Sequence, residues 1–300
     1  MNRYLVDANG RLLVSRGHAT LMAFGGLGVA FIVLTLGGFL LNLRVAGGAL
    51  LLALGGVAFV ASLILMWREL LRGTRELKGA TAAWQAGQGN AAIPAAHYVL
   101  RNVFRADIRA RALHLLGLVA EAEGDFAAAC DCFERALSAL PAMAAPVRKR
   151  YAEILIASHQ ALCLSALGNL PLAAQQLDRA GQRLAIGDAT STWDALTDDA
   201  GWGLGDVSMN EVLMKIEGGR PAAGVFALAQ ALFAFRSGDA QRCLHGLGAS
   251  YGQLVHALLP REHGLAALLN HRAQRIVGHN PNGPEPRDPW ALKCVGEVPH

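Results

Sequence analysis

Charge is what this 300-residue chain has least of: Asp, Glu, Lys and Arg make up 17% of it, against 53% hydrophobic residues. No charged residue falls between Ala19 and Leu43, a run of 25, or between Val45 and Trp67, a run of 23, and only Arg44 separates the two. Core helices of soluble proteins seldom run past about 20 residues without an ionisable group, and about 20 helical residues cross the hydrocarbon of a bilayer. The scarcity therefore excludes an ordinary soluble start and predicts two membrane spans, within residues 19–67. Both runs exceed the roughly 7–15-residue apolar core of a cleaved signal peptide, so both are expected to stay. Histidine is missing from the spans as well, which argues against an ion or proton path built by this chain alone.

Metal and catalytic motifs are also sparse. Five cysteines, Cys130, Cys132, Cys163, Cys243 and Cys294, form an odd set without zinc spacing. Cys130 and Cys132, two apart, point about 200° from each other on a helix. They read as small buried thiols of a reducing compartment. "GWGLGD" (201–206) resembles a phosphate loop but lacks the flanking strand and the following Lys-Ser/Thr. His245, His256, His263, His271 and His279 offer no HExxH pairing, and Glu262 adjoins His263 without a helical partner. Asp194, Asp198, Asp199 and Asp206 do not follow the order of a calcium loop. The sequence thus predicts no enzyme, no cofactor and no metal site.

The formal net charge of +4 is unevenly spread. Residues 1–80 hold eight Lys+Arg and three Asp+Glu; residues 81–300 hold 19 and 20. Basic character is confined to the membrane flanks, which suits anionic lipid headgroups and gives nucleic acid no face to bind. "VRKR" (147–150) reads as a solvated helix start. Arg3, Arg11 and Arg16 precede the first span, Arg68, Arg72, Arg75 and Lys78 follow the second, and the turn between them has Arg44 alone. Cations stay on the cytoplasmic side, so both termini are predicted to be cytoplasmic. Low Lys against high Arg and Ala suggests a GC-rich bacterial source, hence a bacterial inner membrane.

What the chain has in plenty is alanine and glycine at fixed intervals. Ala23, Ala30 and Gly37 in the first span, and Gly48, Gly55 and Ser62 in the second, recur every seven residues. Such seams let helices approach closely in lipid, so the spans are expected to form an antiparallel hairpin. Left-over glycines, Gly25, Gly26, Gly38 and Gly56, offer a second seam for a homo-oligomer. After Trp67, residues Leu70, Thr74, Leu77, Thr81 and Trp84 continue in alternating four- and three-residue steps, predicting a stiff juxtamembrane helix over 68–84.

From Leu113 a unit of two short helices is written as Leu113-x2-Leu116-Gly117-x2-Ala120, then Gly124-Asp125-Phe126, Ala129-x3-Phe133, Ala136 and Pro141. This resembles the tetratricopeptide repeat, with Leu113 in place of its Trp and Ala120 in place of its Tyr. Gly117 and Ala129 are small where the helices cross, Phe133 fills the wedge to the next pair, and Pro141 stops the second helix. Weaker copies put Gly89-Asn90 35 residues upstream with Tyr98 in the wedge, Gly168-Asn169 with Ala173 and Leu177 downstream, and Gly238-Asp239 with Cys243 and Leu247 last. Insertions are read at 142–153 and 187–220.

The expected fold is all-α: a short cytoplasmic segment (1–18), a two-span transmembrane hairpin (19–67), the juxtamembrane helix, a tetratricopeptide-like α-solenoid (85–277) and an irregular proline-rich tail (278–300). The loop at 187–220, with Trp193 and Trp202, is the one functional-looking interruption. The resemblance implies that the first helices of the pairs line a groove for a protein or peptide partner, here Arg111, His114, Leu118 and Glu121, then Leu155, Ser158 and Leu162. The Lys/Asn set with which some members clamp a terminal carboxylate is missing. A scaffold or adaptor at the membrane is the function implied. Two alternatives are a structural subunit assembling through its glycine-rich spans, and an enzyme using the 187–220 loop as a lid.

Overall fold

The computed structural model describes residues 2–6, 16–43, 47–140, 146–185, 221–254, 260–281 and 283–290; the 187–220 loop, Pro141 and the last ten residues lie outside them. The described residues are all-helical: α1 (Arg16–Asn42), α2 (Gly48–Gln85), α3 (Gly89–Asn102), α4 (Ala106–Ala122), α5 (Phe126–Ala139), α6 (Pro146–Ala166), α7 (Leu170–Ala185), α8 (Pro221–Arg236), α9 (Ala240–Leu254) and α10 (Pro260–Ile276), with a 3-10 turn at Arg3–Leu5. The chain divides into two compact units. One is Leu5–Ala112; the other joins Met1–Tyr4 to Leu113–His300.

In the Leu5–Ala112 unit, α1 and α2 are long and apolar enough to cross a membrane. They pack as an antiparallel pair on their small residues. A Cβ at Gly37 would lie 2.6 Å from the Leu52 amide nitrogen, one at Gly48 2.5 Å from that of Leu41, and one at Gly55 2.9 Å from that of Leu34. Gly26 faces the Ser62 hydroxyl, and Ala30 is buried. The side chain of Ala23 lies outside the described residues. The opposite faces present Val29, Phe31, Ile32 and Phe39 of α1, and Leu50, Val57, Ile64 and Leu65 of α2, all more than half exposed.

As the four- and three-residue steps after Trp67 predict, the helix of the second apolar run continues into the juxtamembrane stretch. The 38-residue α2 continues unbroken, about 57 Å at 1.5 Å per residue. Its last third buries Gly73, Leu77 and Ala80 against α3. Gly73 leaves room there for the Val103 side chain, whose methyl a Cβ would meet at 2.2 Å. The chain turns at Gly87 (φ +80°) into α3, so α2 and α3 form the first helix pair. The turn glycine of this copy is therefore Gly87; Gly89 and Asn90 already belong to α3. Tyr98 is half-buried and donates to Glu69, whereas the fully buried positions are Ala92, Ala96, Val99 and Leu100. The buried guanidinium of Arg109 covers the C-terminal carbonyls of α3, donating to Leu100 O and Val103 O.

Between described helices the same turn recurs three more times, at Gly124, Gly168 and Gly238 (φ +78°, +78° and +83°), and Gly278 (φ +84°) ends α10 in the same way. Each time the residue after the glycine donates its N–H, at 2.9 Å, to a carbonyl in the last turn of the helix before: Gln88 to Ala83, Asp125 to Ala120, Asn169 to Leu164 and Asp239 to Ala234. This is the Schellman closure, which needs a left-handed residue that glycine supplies without strain. Asp125 and Asp239 then accept the N–H three residues on, capping the next helix. Five residues past each turn glycine sits a fully buried small residue, Ala92, Ala129, Ala173 or Cys243; nine past sits Ala96, Phe133, Leu177 or Leu247, also buried. Local chemistry thus builds the pairs α2/α3, α4/α5, α6/α7 and α8/α9. In the larger unit Arg236 of α8 donates to the Ser165 and Ala166 carbonyls at the end of α6, at 3.1 and 3.3 Å.

Helix α6 begins at Pro146, so much of the insertion read at 142–153 is helix. The described part of the tail, as far as Trp290, is non-helical but packed. Trp290 is buried edge-on to Phe126 (5.2 Å between rings), Pro289 lies over Gly264, and Glu285 pairs with Arg272 at 2.6 Å. Its prolines prevent helix, while one tryptophan and one ion pair suffice to lay it back along α10.

Candidate functional site

The chemistry-bearing side chains of the larger unit meet between α4, α6 and α10. His114 and Glu121 are seven residues apart on α4, hence on one face. His159 comes from α6. Glu262 stands in the first turn of α10, whose N-terminus has Pro260 at its first position, as helix starts favour. His159 Nδ1 lies 3.1 Å from Glu121 Oε2, within hydrogen-bonding distance. His159 Nε2 lies 3.8 Å from Glu262 Oε1, close enough for charge attraction but long for a hydrogen bond. None of the three side chains is more than 7% exposed.

Aromatic packing fixes the imidazole. The Phe133 ring from α5 stacks on His159 (centroids 5.7 Å apart, planes at 26°), and His114 tilts against both, 5.7 Å from Phe133 and 5.5 Å from His159. Phe133 lies against Gly117 as well, since a Cβ there would fall 2.3 Å from the ring. His114 Nε2 makes no hydrogen bond among the described residues. Burial is the larger influence on both histidines and opposes their charged forms. For His114 nothing offsets it and the charge of His159 adds to it, so its pKa falls well below the usual value. For His159 the charge and hydrogen bond of Glu121, helped by Glu262, outweigh burial, and its pKa is raised. One imidazole, its charged form favoured, is thus held between two carboxylates beside a histidine whose charged form is disfavoured. Next to it on α6, burial pushes the Cys163 thiol up, which makes it a poor nucleophile.

The seven residues expected to line a groove are placed unequally. Arg111 and Leu118 are half-buried; His114, Glu121, Leu155, Ser158 and Leu162 are buried. Ser158 donates back to Ile154 O at 2.7 Å. The closure has a visible cause at one end, where α10 brings Glu262 onto His159 and Arg261 onto the Ala122 carbonyl. Glu262, read from sequence as lacking a helical partner, finds one on α6. Repeat-packing residues fall where neighbouring helices meet: Gly117, Ala129, Phe133 and Ala136 are buried, and Gly124 makes the turn. Among the described residues no group of three His, Cys, Asp or Glu is arranged to hold a metal ion. Asp194, Asp198, Asp199, Asp206, Trp193, Trp202 and the 201–206 glycines lie outside them, as does His256.

A second feature escaped sequence reasoning altogether. The first residues of the chain lie on α5 and its preceding turn. Asn2 Nδ2 donates to Ala128 O (2.9 Å) and Asp131 Oδ2 (3.1 Å). The buried Tyr4 hydroxyl donates to Glu123 Oε2 at 2.7 Å, and Arg3 pairs with the same carboxylate. Nothing in a tetrapeptide start 120 residues away signals this contact.

Comparison of the chain with protein-family models, curated proteins and solved structures returns no match.

Proposed function

We propose that the protein is a membrane-anchored scaffold or adaptor: a two-span hairpin that displays a tetratricopeptide-like stack of helix pairs for another protein or peptide to bind, without covalent chemistry. One observation carries the reading. Helix α2 is exposed and apolar over its first part and, without a break, becomes the first member of a helix pair over its last, so the anchor and the first helix pair share one continuous helix. The glycine turns that join α2/α3, α4/α5, α6/α7 and α8/α9, alike in backbone hydrogen bonding, support a repeat architecture, in which each pair needs neighbours to bury its faces.

In this reading the spans lie in a bacterial inner membrane with both termini cytoplasmic. The cation distribution supports that orientation. So does the hold of Asn2–Tyr4, which precede the first span, on helices that follow the second. Membrane lipid is then a partner of the exposed band and of the basic flank, where Arg72 covers the Tyr98 ring at 4.6 Å. The half-buried Leu118, on the first helix of the strongest repeat, is the expected contact for a partner.

The structural-subunit reading draws on a different observation: a Cβ added at Gly25, Gly28, Gly38 or Gly56 would meet nothing, so small residues also face outward. Photo-cross-linkers incorporated one at a time in the full-length protein, in its own membrane, separate the two. The adaptor reading expects a defined adduct from Leu118 and none from Glu134, exposed on the outer helix α5. Adducts from Gly56 or Gly28 alone, with Leu118 silent, would overturn it in favour of the subunit.

A further inference from the structure

We propose that Glu121, His159 and Glu262 form a proton-held latch that fastens the first turns of α10 onto α4 and α6 and loosens as the pH rises. The geometry is that of a three-helix tie: one imidazole in van der Waals confinement, with a carboxylate of a different helix at each nitrogen, 3.1 and 3.8 Å away. A protonated imidazole presents a donor to each carboxylate. A neutral one has a single N–H, so its other nitrogen turns a lone pair toward one of two buried negative charges. The hydrogen-bonded partner is Glu121, so the side that fails first is Glu262, and with it the hold on α10.

The groups around His159 leave the two carboxylates dominant. From α4 it faces Glu121 and the neutral His114. From α5 come Phe133 and, along α6, the thiols Cys130 and Cys132 near Cys163. From α10 comes Glu262. The charged residues that α7 and α8 direct at α6 engage elsewhere: Arg183 and Arg179 at Glu153, Arg236 at the Ser165 and Ala166 carbonyls.

The raised pKa of His159 fixes the direction. A group that holds its proton more tightly when folded contributes fully below its unfolded pKa, about 6.5, and the contribution is lost as pH rises through the higher folded value. His114 works in the opposite sense: its lowered pKa weakens the fold as pH drops below about 6.5. The latch is therefore strongest near neutrality. Farther along α10, Leu265, Ala266, Leu268 and Leu269 are fully buried and hold the rest of the helix. Loosening is accordingly confined to its start, beside Glu121 and the C-terminus of α4. That this would open the partner surface rests on the adaptor reading; the latch itself does not.

The test is hydrogen exchange of the peptide spanning residues 260–270 in the full-length protein in nanodiscs, from pH 6 to pH 10, corrected for the intrinsic pH dependence of exchange. The latch predicts protection that is level up to a midpoint and then falls by up to about tenfold per pH unit, the limit for one proton. Glu262→Gln, which keeps the shape, should move the midpoint to lower pH; His159→Gln should abolish the transition. Flat wild-type protection over the whole range, or an unchanged transition in His159→Gln, overturns the latch and leaves the adaptor reading standing. Silence at Leu118 in the cross-linking experiment does the reverse.

Discussion

Gly117→Leu should lower the thermal midpoint of the full-length protein by about 6–12 °C. The Phe133 ring occupies the space a side chain would need, with contacts of 2.3, 2.6 and 2.8 Å from a Cβ alone. The ring cannot step aside, because His159 stacks on it and His114 lies against it. Overpacking of a filled core costs about 3 kcal/mol at the upper end of the usual range, and a domain of this size shifts by about 2–4 °C per kcal/mol. Two changes that share one space are not additive, so Gly117→Leu combined with Phe133→Leu should recover part of the loss. A midpoint within 2 °C of wild type, or a double variant that merely sums the two single losses, would show that the Gly117–Phe133 contact does not hold α4 to α5.

Among the apolar helices the contrast lies between adjacent residues. Gly37→Leu puts a branched side chain where a single Cβ would be 2.6 Å from the backbone of Leu52, and backbone has no rotamer to yield. A Cβ at Gly38 meets nothing within 4 Å. Gly37→Leu should destabilise the pairing of α1 with α2 by about 3 kcal/mol or more, since close backbone approach is what small residues allow. Gly38→Leu should be nearly silent in a monomer. Thermal unfolding in a mild detergent, with a spin-label distance between the two helices, reads the difference. Equal behaviour of the two variants would place the contact on another face. Loss of a defined oligomer in Gly38→Leu alone would instead support assembly through the outward glycines.

How much of this was legible depends on what kind of signal each feature leaves. Glycine turns announce themselves because a left-handed residue is required and Asp or Asn follows to cap the next helix; Gly124, Gly168 and Gly238 were found that way. The first copy was placed two residues late because "GQGN" offers two glycines and Tyr98 drew the wedge to itself. The residue nine past Gly87 is Ala96, fully buried, and so small a residue leaves no wedge side chain to recognise. The seam residues Gly37, Gly48 and Gly55 could be picked out because heptad spacing keeps one line along a helix. A contact joining residues 121, 159 and 262 leaves no spacing to detect. Its trace is chemical: "SHQ" at 158–160 interrupts an otherwise apolar stretch of α6, and buried polar groups need partners. The groove assignment assumed that first-helix residues outside the repeat core face outward. Five of the seven are buried, and the Glu262 contact could not be weighed without knowing where α10 returns. Likewise the proline-rich tail gave away its lack of helix but not the docking of Trp290 on Phe126.

The account stands on the chain crossing the membrane twice, with its helix pairs on the side of both termini. An epitope tag inserted in the connecting turn after Val45 and a second tag at the C-terminus, probed with antibody on spheroplasts, whose outer membrane has been opened, before and after their inner membrane is permeabilised, test this directly. The turn tag should be reached in sealed spheroplasts and the C-terminal tag only after permeabilisation. Both tags reached together, neither reached before permeabilisation, or release of the protein by alkaline carbonate would contradict it.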